Sequence, residues 1–404
     1  MPDFFEEFTT LPVGRLGIIS LPGCDELTKK IDEYLVKWRA ERRSEHKSNI
    51  AFYGYQKDSY ILNVEFTRFG TGEGKVTIKE TVRGYDIFIV CDMFNYGQKI
   101  KMYGKEYPMS PDDHFANLKR AIAAVAGKAK RITVVMPMLY EGRQHKRSSR
   151  ESLDCALALQ ELCNGMGVDN IITFDAHDAR VQNAIPLKGF ENVTTSYQMI
   201  KAMVKNVDDI KFDKDHLMII SPDEGGVSRC IYYSTVLGVD LGMFYKRRDF
   251  SRVVDGRNPI VAHEFLGTDV EGKDVIVVDD MISSGESMLE VASKLKDLHA
   301  NRIFVVCSFG LFCNGLEKFD EAYEKGTISK VFTTNLIYRA PELLDREWFC
   351  EVDLSKYIAY IVDTLNNDLS ISRLLDPADR IYKLLTSKGH NVPNHSLKKS
   401  TTLT

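Results

Sequence analysis

The most pointed chemistry in the 404-residue chain lies in VIVVDDMISSGES, residues 275–287. Four apolar residues read as a buried strand, Asp279 and Asp280 emerge at its carboxyl end, and Ser283, Ser284, Gly285 and Ser287 form a small-residue turn that opens a helix. Such a turn offers backbone N–H groups, hydroxyls and the positive end of a helix dipole to a phosphate. The two carboxylates would repel that phosphate, but an ionised carboxylate is an acceptor suited to hydroxyl donors. A diol recogniser beside a phosphate cradle describes a sugar phosphate. The plainer alternative is an acidic helix cap with no ligand.

Four other groups stand at strand ends. Arg143 and Gln144 follow RITVVM, a place where Arg contacts phosphate or stacks on a purine and Gln reads its edge, although an isolated Arg usually makes a surface ion pair. His177 follows NIITF; a lone histidine is more often a core or surface residue than a metal ligand. Asp223 precedes Gly225 and Gly226 and suits a metal-bound water or a ribose hydroxyl, while the glycine pair also suits a plain turn. Lys246, Arg247 and Arg248 end a strand and lead into the Arg- and Gly-containing stretch 252–259. That run is either solvated surface or a loop that closes over a polyanion.

The elements that must position these residues are α/β units. From about Ser110 onward, helix-period segments alternate with short β-branched runs, as around a mostly parallel sheet. Strands are expected at Arg131 to Met136, Asn170 to Phe174, His216 to Ile220, Asp274 to Val278 and Arg302 to Val306, and helices at 149–162, with Ser149 as N-cap, 227–237 and 287–298. Two such series suggest related halves meeting near residue 195. Earlier, Lys75 to Ile78 and Asp86 to Val90 read as strands and Leu27 to Lys47 as a charged helix, its basic end WRAERRSEHK taken as a solvated face. The expected domains are 1–195, 196–386 and a mobile tail, 387–404, in which His390 and His395 are solvent-exposed.

Composition excludes several classes. Lys+Arg 53 against Asp+Glu 57 leaves a net charge of -4, so no basic footprint for nucleic acid is present. The eight cysteines have no C-x-x-C pair or zinc-ligand spacing and read as buried thiols of a reducing compartment. The N-terminus has no signal-peptide pattern and no 18 apolar residues run together, which points to the cytoplasm and away from membranes.

Residues 275–287 resemble the ribose-phosphate loop shared by phosphoribosyltransferases and phosphoribosyl pyrophosphate (PRPP) synthetases. Three further segments separate the two. PMLYEGRQHKRSSR, residues 137–150, is similar to the adenine-nucleotide segment of the synthetases; FDAHDARVQ, residues 174–182, to their Asp-x-His segment; and SPDEGGVSR with YKRRD, residues 221–229 and 245–249, to their Ser-Pro-Asp-x-Gly-Gly turn and Lys-Arg-Arg loop. RFGTGEGK, residues 68–75, resembles a fifth segment, Arg-Phe-Ser-Asp-Gly-Glu, with Thr71 in place of the Asp.

The resemblance implies two phosphoribosyltransferase-like halves and a ribose-phosphate pyrophosphokinase, which passes the diphosphoryl group of ATP to ribose 5-phosphate with Mg2+ as cofactor, giving PRPP and AMP. It assigns Ser283, Ser284, Gly285, Glu286 and Ser287 to the 5-phosphate, Asp279 and Asp280 to the ribose hydroxyls, and Phe69, Glu73, Arg143 and Gln144 to ATP. His177 and Asp223 go to the metal, and Lys246 and Arg248 to the transition state. Phe69 and Glu73 serve a neighbouring subunit in the family, which implies a homo-oligomer. Segments 38–56 and 96–108 and the tail exceed the family pattern, and Glu286 stands where the family usually has glycine. A phosphoribosyltransferase and a non-catalytic regulatory paralogue stay open as alternatives.

Overall fold

The computed structural model describes residues 10–42, 53–147, 149–248 and 260–390. These divide into two compact units: Met1–Thr195 with Thr334–Ala340 and Asp353–Leu375, and Ser196–Thr333 with Pro341–Val352 and Asp376–Thr404. Among the described residues no helix is long and apolar enough to cross a membrane.

The first unit is built on strands β1 (Arg15–Ser20), β4 (Tyr85–Val90), β7 (Arg131–Val135), β8 (Asn170–Phe174) and β9 (Gly189–Val193), paired in that order and all parallel. Every residue of β4 is buried, as a central parallel strand covered on both faces requires. Helices α1 (Asp25–Glu41), α2 (Pro111–Val125) and α3 (Asp154–Gln160) connect the strands. Two antiparallel hairpins stand outside the sheet: β2 (Val64–Arg68) with β3 (Gly74–Ile78), and β5 (Lys99–Met102) with β6 (Lys105–Pro108).

The second unit begins with α4 (Ser196–Asn206), β10 (Leu217–Ser221) and α5 (Val227–Leu237), followed by β11 (Asp240–Arg248) and β12 (Ile260–Leu266). Next come β13 (Asp274–Ile282), α6 (Glu286–Asp297), β14 (Ile303–Gly310), α7 (Glu317–Glu324), β15 (Lys330–Thr334) and β16 (Phe349–Val352). The strand order is β12-β11-β10-β13-β14-β15-β16. The pairs from β11 through β15 are parallel, while β12 returns antiparallel along β11. Val275, Val277, Val291, Leu295, Val305 and Phe319 belong to one buried core between sheet and helices. The chain then re-enters the first unit through α8 (Ser355–Asn366).

Three local expectations are corrected. Helix α3 starts at Asp154 behind Leu153, not at Ser149; the Glu151 side chain turns back to accept the Ser149 N–H at 3.2 Å, which closes a loop there. The basic end of α1 is no solvated face. Trp38 and Arg39 are buried, with Trp38 stacked on Tyr360 of α8 at 4.2 Å and Arg39 bonded through Nε to Asp363 at 2.9 Å and through Nη2 to Asn366 at 2.7 Å. His390 lies half-buried against Phe212, ring centres 5.0 Å apart. Residues 43–47 of the expected helix, His395 and the tail beyond 390 lie outside the described residues.

Candidate functional site

In the second unit the local sequence explains the local geometry. Val275, Ile276, Val277 and Val278 are fully buried in β13 between β10 and β14, so the residues after them emerge where ligands of open α/β sheets sit. Asp280 is 4% exposed. Its N–H donates to Asp279 Oδ1 at 2.8 Å, locking the two acids side by side. Burial, then the adjoining Asp280, push the Asp279 carboxyl well above the usual carboxylate range, and Arg229 opposes them. Arg229, in the first turn of α5, places Nη1 3.7 Å from Asp279 Oδ1 and 3.8 Å from Asp280 Oδ1.

The chain then turns at Gly285, which caps α6 with φ 82°. A Cβ there would lie 2.3 Å from the Phe319 ring, so the turn requires glycine for both its left-handed backbone and its packing. Ser283 and Ser284 flank the turn, and Ser287 is exposed in the first turn of α6. The Glu286 carboxylate faces α7, where Oε1 accepts from Lys318 Nζ at 2.6 Å; that ammonium holds its pKa below the usual range. In the turn after β10, Asp223 Oδ1 accepts the N–H groups of Gly225 and Gly226 at 2.8 and 3.2 Å, an acidic side chain closing its own turn. Lys246 and Arg248 stand on β11, in register with His263 and Ile260 of β12. Their side chains and the stretch 249–259 lie outside the described residues.

The first unit carries the other residues. Tyr140 stacks on Phe115 of α2 at 4.2 Å and donates to Asp112 at 2.5 Å, and the next residue, Glu141, takes φ 53°. That turn leaves Arg143 and Gln144 exposed. At the end of β8, Asp175 Oδ2 accepts from the Thr195 hydroxyl at 2.6 Å, which commits Asp175 to the turn and leaves His177 exposed. The His177 ring lies 5.3 Å from that of His145, whose Nε2 is 3.4 Å from Asp178. Phe69 is half exposed at the tip of the β2–β3 hairpin, and Thr71 donates to Glu73 at 2.8 Å.

Residues 16–166 match the family model for the N-terminal domain of ribose phosphate pyrophosphokinase, and residues 190–345 match that for the phosphoribosyl transferase domain. The chain belongs to the ribose-phosphate pyrophosphokinase family. A ribose-phosphate pyrophosphokinase of Vibrio cholerae is 28% identical over 317 residues, 77% of this chain and 90% of that protein. Another from Shewanella oneidensis is 29% identical over 312 residues, 76% and 89% of the two chains. Among solved structures, phosphoribosylpyrophosphate synthetase from Mycobacterium smegmatis aligns with a TM-score of 0.68 at 19% identity, over 88% of this chain and 99% of that one. This last likeness is one of fold.

Within this pyrophosphokinase chain the second unit groups Asp279, Asp280, Ser283, Ser284, Gly285, Glu286 and Ser287 on one strand–turn–helix. The first unit groups His177 with His145, and sets Phe69 and Glu73 on a separate hairpin. Sequence reasoning missed His145, Arg229 and Lys318. Arg229 had a readable signal, since it follows the Gly-Gly turn on the first turn of a helix, where side chains reach the strand ends. Lys318 had none, because its partner lies 32 residues away on another helix.

Proposed function

We propose that this chain is a ribose-phosphate pyrophosphokinase that converts ATP and ribose 5-phosphate to PRPP and AMP. The observation that carries the reading is the acidic pair of half-buried Asp279 and buried Asp280 followed by the small-residue turn at the start of α6, a diol acceptor next to an anion cradle. The match of residues 16–166 to a pyrophosphokinase N-terminal domain favours this activity over a phosphoribosyltransferase.

The anomeric oxygen of the sugar bonds to the β-phosphorus of ATP as the bond from that phosphorus to the bridging oxygen breaks. AMP leaves with that oxygen, and the hydroxyl proton passes to solvent. Ser283, Ser284, the backbone about Gly285 and Ser287 hold the 5-phosphate, and Asp279 and Asp280 the ribose hydroxyls. Arg143 and Gln144 hold the nucleotide, with Phe69 and Glu73 at the adenine of a neighbouring subunit in a homo-oligomer. Lys246 and Arg248 offset charge on the group in transfer.

Mg2+ is the cofactor this reading calls for. Among the described residues no group of three His, Cys, Asp or Glu could cage an ion. Magnesium held mainly by substrate phosphates and water needs only one or two protein donors. Asp223 fits that need: its Oδ1 is taken by two backbone N–H groups, and Oδ2 has no hydrogen-bond partner among the described residues. Asp223 in the second unit and His177 in the first are the donors proposed for Mg2+, which would supply charge neutralisation at the phosphates.

The test is AMP formation from ATP that depends on ribose 5-phosphate. Base-dependent consumption of PRPP without it would mark a phosphoribosyltransferase. Neither activity would mark a regulatory paralogue.

A further inference from the structure

We infer that Arg229 is the positioning residue of the sugar site: from the first turn of α5 its guanidinium holds Asp279 and Asp280 in the arrangement that accepts a vicinal diol, and so sets affinity for ribose 5-phosphate and not for ATP. This rests on the reading of the two acids as hydroxyl acceptors. Two carboxylates locked side by side repel each other, the more strongly where water screens them little. Without a facing cation one of them keeps a proton, and a protonated carboxyl gives up part of its acceptor capacity to a diol.

Arg229 is placed to oppose this, while burial and the adjoining acid still hold the Asp279 carboxyl above the usual carboxylate range. The same Nη1 is 3.7 Å from one carboxylate and 3.8 Å from the other. The side chains of Arg229 and Asp280 are 18% and 5% exposed, so water screens the contact little. Among the described residues, the other titratable groups set against the pair supply no cation. Cys230, next to Arg229 on α5, is pushed up to about 12 mainly by burial, and Cys307, level with Asp279 on β14, is pushed up by burial as well, so both thiols stay neutral. Asp223, on the turn that precedes α5, adds only negative charge. Among the described residues, Arg229 is the cation that the pair faces. An ammonium on a flexible stem would be a poorer substitute, because it holds its nitrogen between the two acceptors less firmly than a rigid guanidinium plane does.

The experiment compares Arg229→Met, Arg229→Lys and the parent in the full-length protein. Calorimetry gives the Kd for ribose 5-phosphate, steady-state assays give both KM values and kcat, and thermal melting reports folding. The expected result for Arg229→Met is a tenfold or larger loss of ribose 5-phosphate affinity with the KM for ATP within twofold. The acid limb of kcat/KM for ribose 5-phosphate should move to higher pH, because removing the cation raises the carboxyl pKa and the acceptor form then appears only at higher pH. Arg229→Lys should return the limb towards its parental pH while recovering only part of the affinity.

Unchanged sugar affinity, equal weakening of both substrates, or an unmoved limb would overturn the inference and leave Arg229 as a staple between α5 and β13. If Arg229→Met does not fold, Arg229→Lys decides: parental affinity from it counts against the guanidinium's role, and a severalfold loss confined to the sugar supports it. The functional reading fails separately, when the parent makes no AMP. Calorimetric loss of ribose 5-phosphate binding in Arg229→Met would then still support the positioning role.

Discussion

Glu286 is the residue that sits least comfortably with a phosphate-binding turn, because a carboxylate 4 Å from a phosphate repels it by about 1 kcal/mol even in water. The structure turns it towards Lys318 at 2.6 Å, and an acid in the first turn also favours the helix dipole. Glu286→Gln should therefore change the KM for ribose 5-phosphate by less than about threefold, under about 0.7 kcal/mol. Lys318→Met should raise that KM by freeing the carboxylate, and the double variant should restore it. A tenfold gain in affinity on Glu286→Gln alone would mean that the carboxylate faces the phosphate after all. For Lys246→Ala and Arg248→Ala the expected outcome is a fall in kcat of about 10²-fold with both KM values changed far less, since charge aimed at the group in transfer acts mainly in the transition state. Normal turnover in both variants would reduce the run to solvated surface. Residues whose chemistry is contiguous in the chain, such as Asp279, Asp280 and the serines, were legible from sequence. Arg229 carried only the signal of its place in the first turn after Gly225-Gly226, and Lys318 carried none, because it meets Glu286 across a helix–helix contact that no local spacing encodes.

Among elements, the strands with three or four consecutive β-branched or aliphatic residues, RITVV, NIITF and DVIVV, were legible because central parallel strands are buried on both faces. The β5–β6 hairpin was not, since KIKM and KEYP carry no alternation strong enough to set against loop; they read only as extra length. Its turn is Tyr103–Gly104, with φ 48° and 79°, the pair of left-handed residues that matches strand twist in a two-residue connection. The Tyr103 N–H donates to Gly70 O at 2.8 Å, and Met102 Sδ lies 2.6 Å from where a Gly72 Cβ would be. This hairpin thus braces the turn that presents Phe69 and Glu73. Gly72 has φ 95°, so Gly72→Ala adds strain of roughly 1–2 kcal/mol besides displacing Met102. Its KM for ATP should rise, by up to about tenfold at tenfold per 1.4 kcal/mol, while that for ribose 5-phosphate stays within twofold. Equal changes in both would show that the hairpin supports folding in general and not the nucleotide loop.

For the molecule as a whole, the chain order hides how the first unit is completed. Residues 1–195 read as a self-sufficient α/β half, yet Asp353–Leu375 belongs to that unit. Helix α8 buries Ile358, Ile361 and Val362 completely, each contributing about 1.5–3 kcal/mol. Its polar residues are equally committed: Asp363 neutralises Arg39 and Arg42, Asn366 donates to Asp86 Oδ2 at 2.9 Å and to Gly14 O at 3.1 Å, and Leu365 O accepts from Arg131 at 2.7 Å. Arg39 is the decisive case, since a buried guanidinium stripped of its carboxylate costs about 3–5 kcal/mol. Apolar burial and ion pairing together are comparable with the whole net stability of a domain, about 5–15 kcal/mol. A fragment of residues 1–195 should therefore lack a cooperative unfolding transition, and Asp363→Ala in the full chain should lower the urea midpoint of one transition while leaving any separate transition of the second unit in place. Adding a peptide of residues 353–375 to the fragment should restore cooperative melting. A fragment that melts cooperatively alone, at the parental midpoint, would show that α8 merely rests on the first unit and that the half read from the sequence is complete without it.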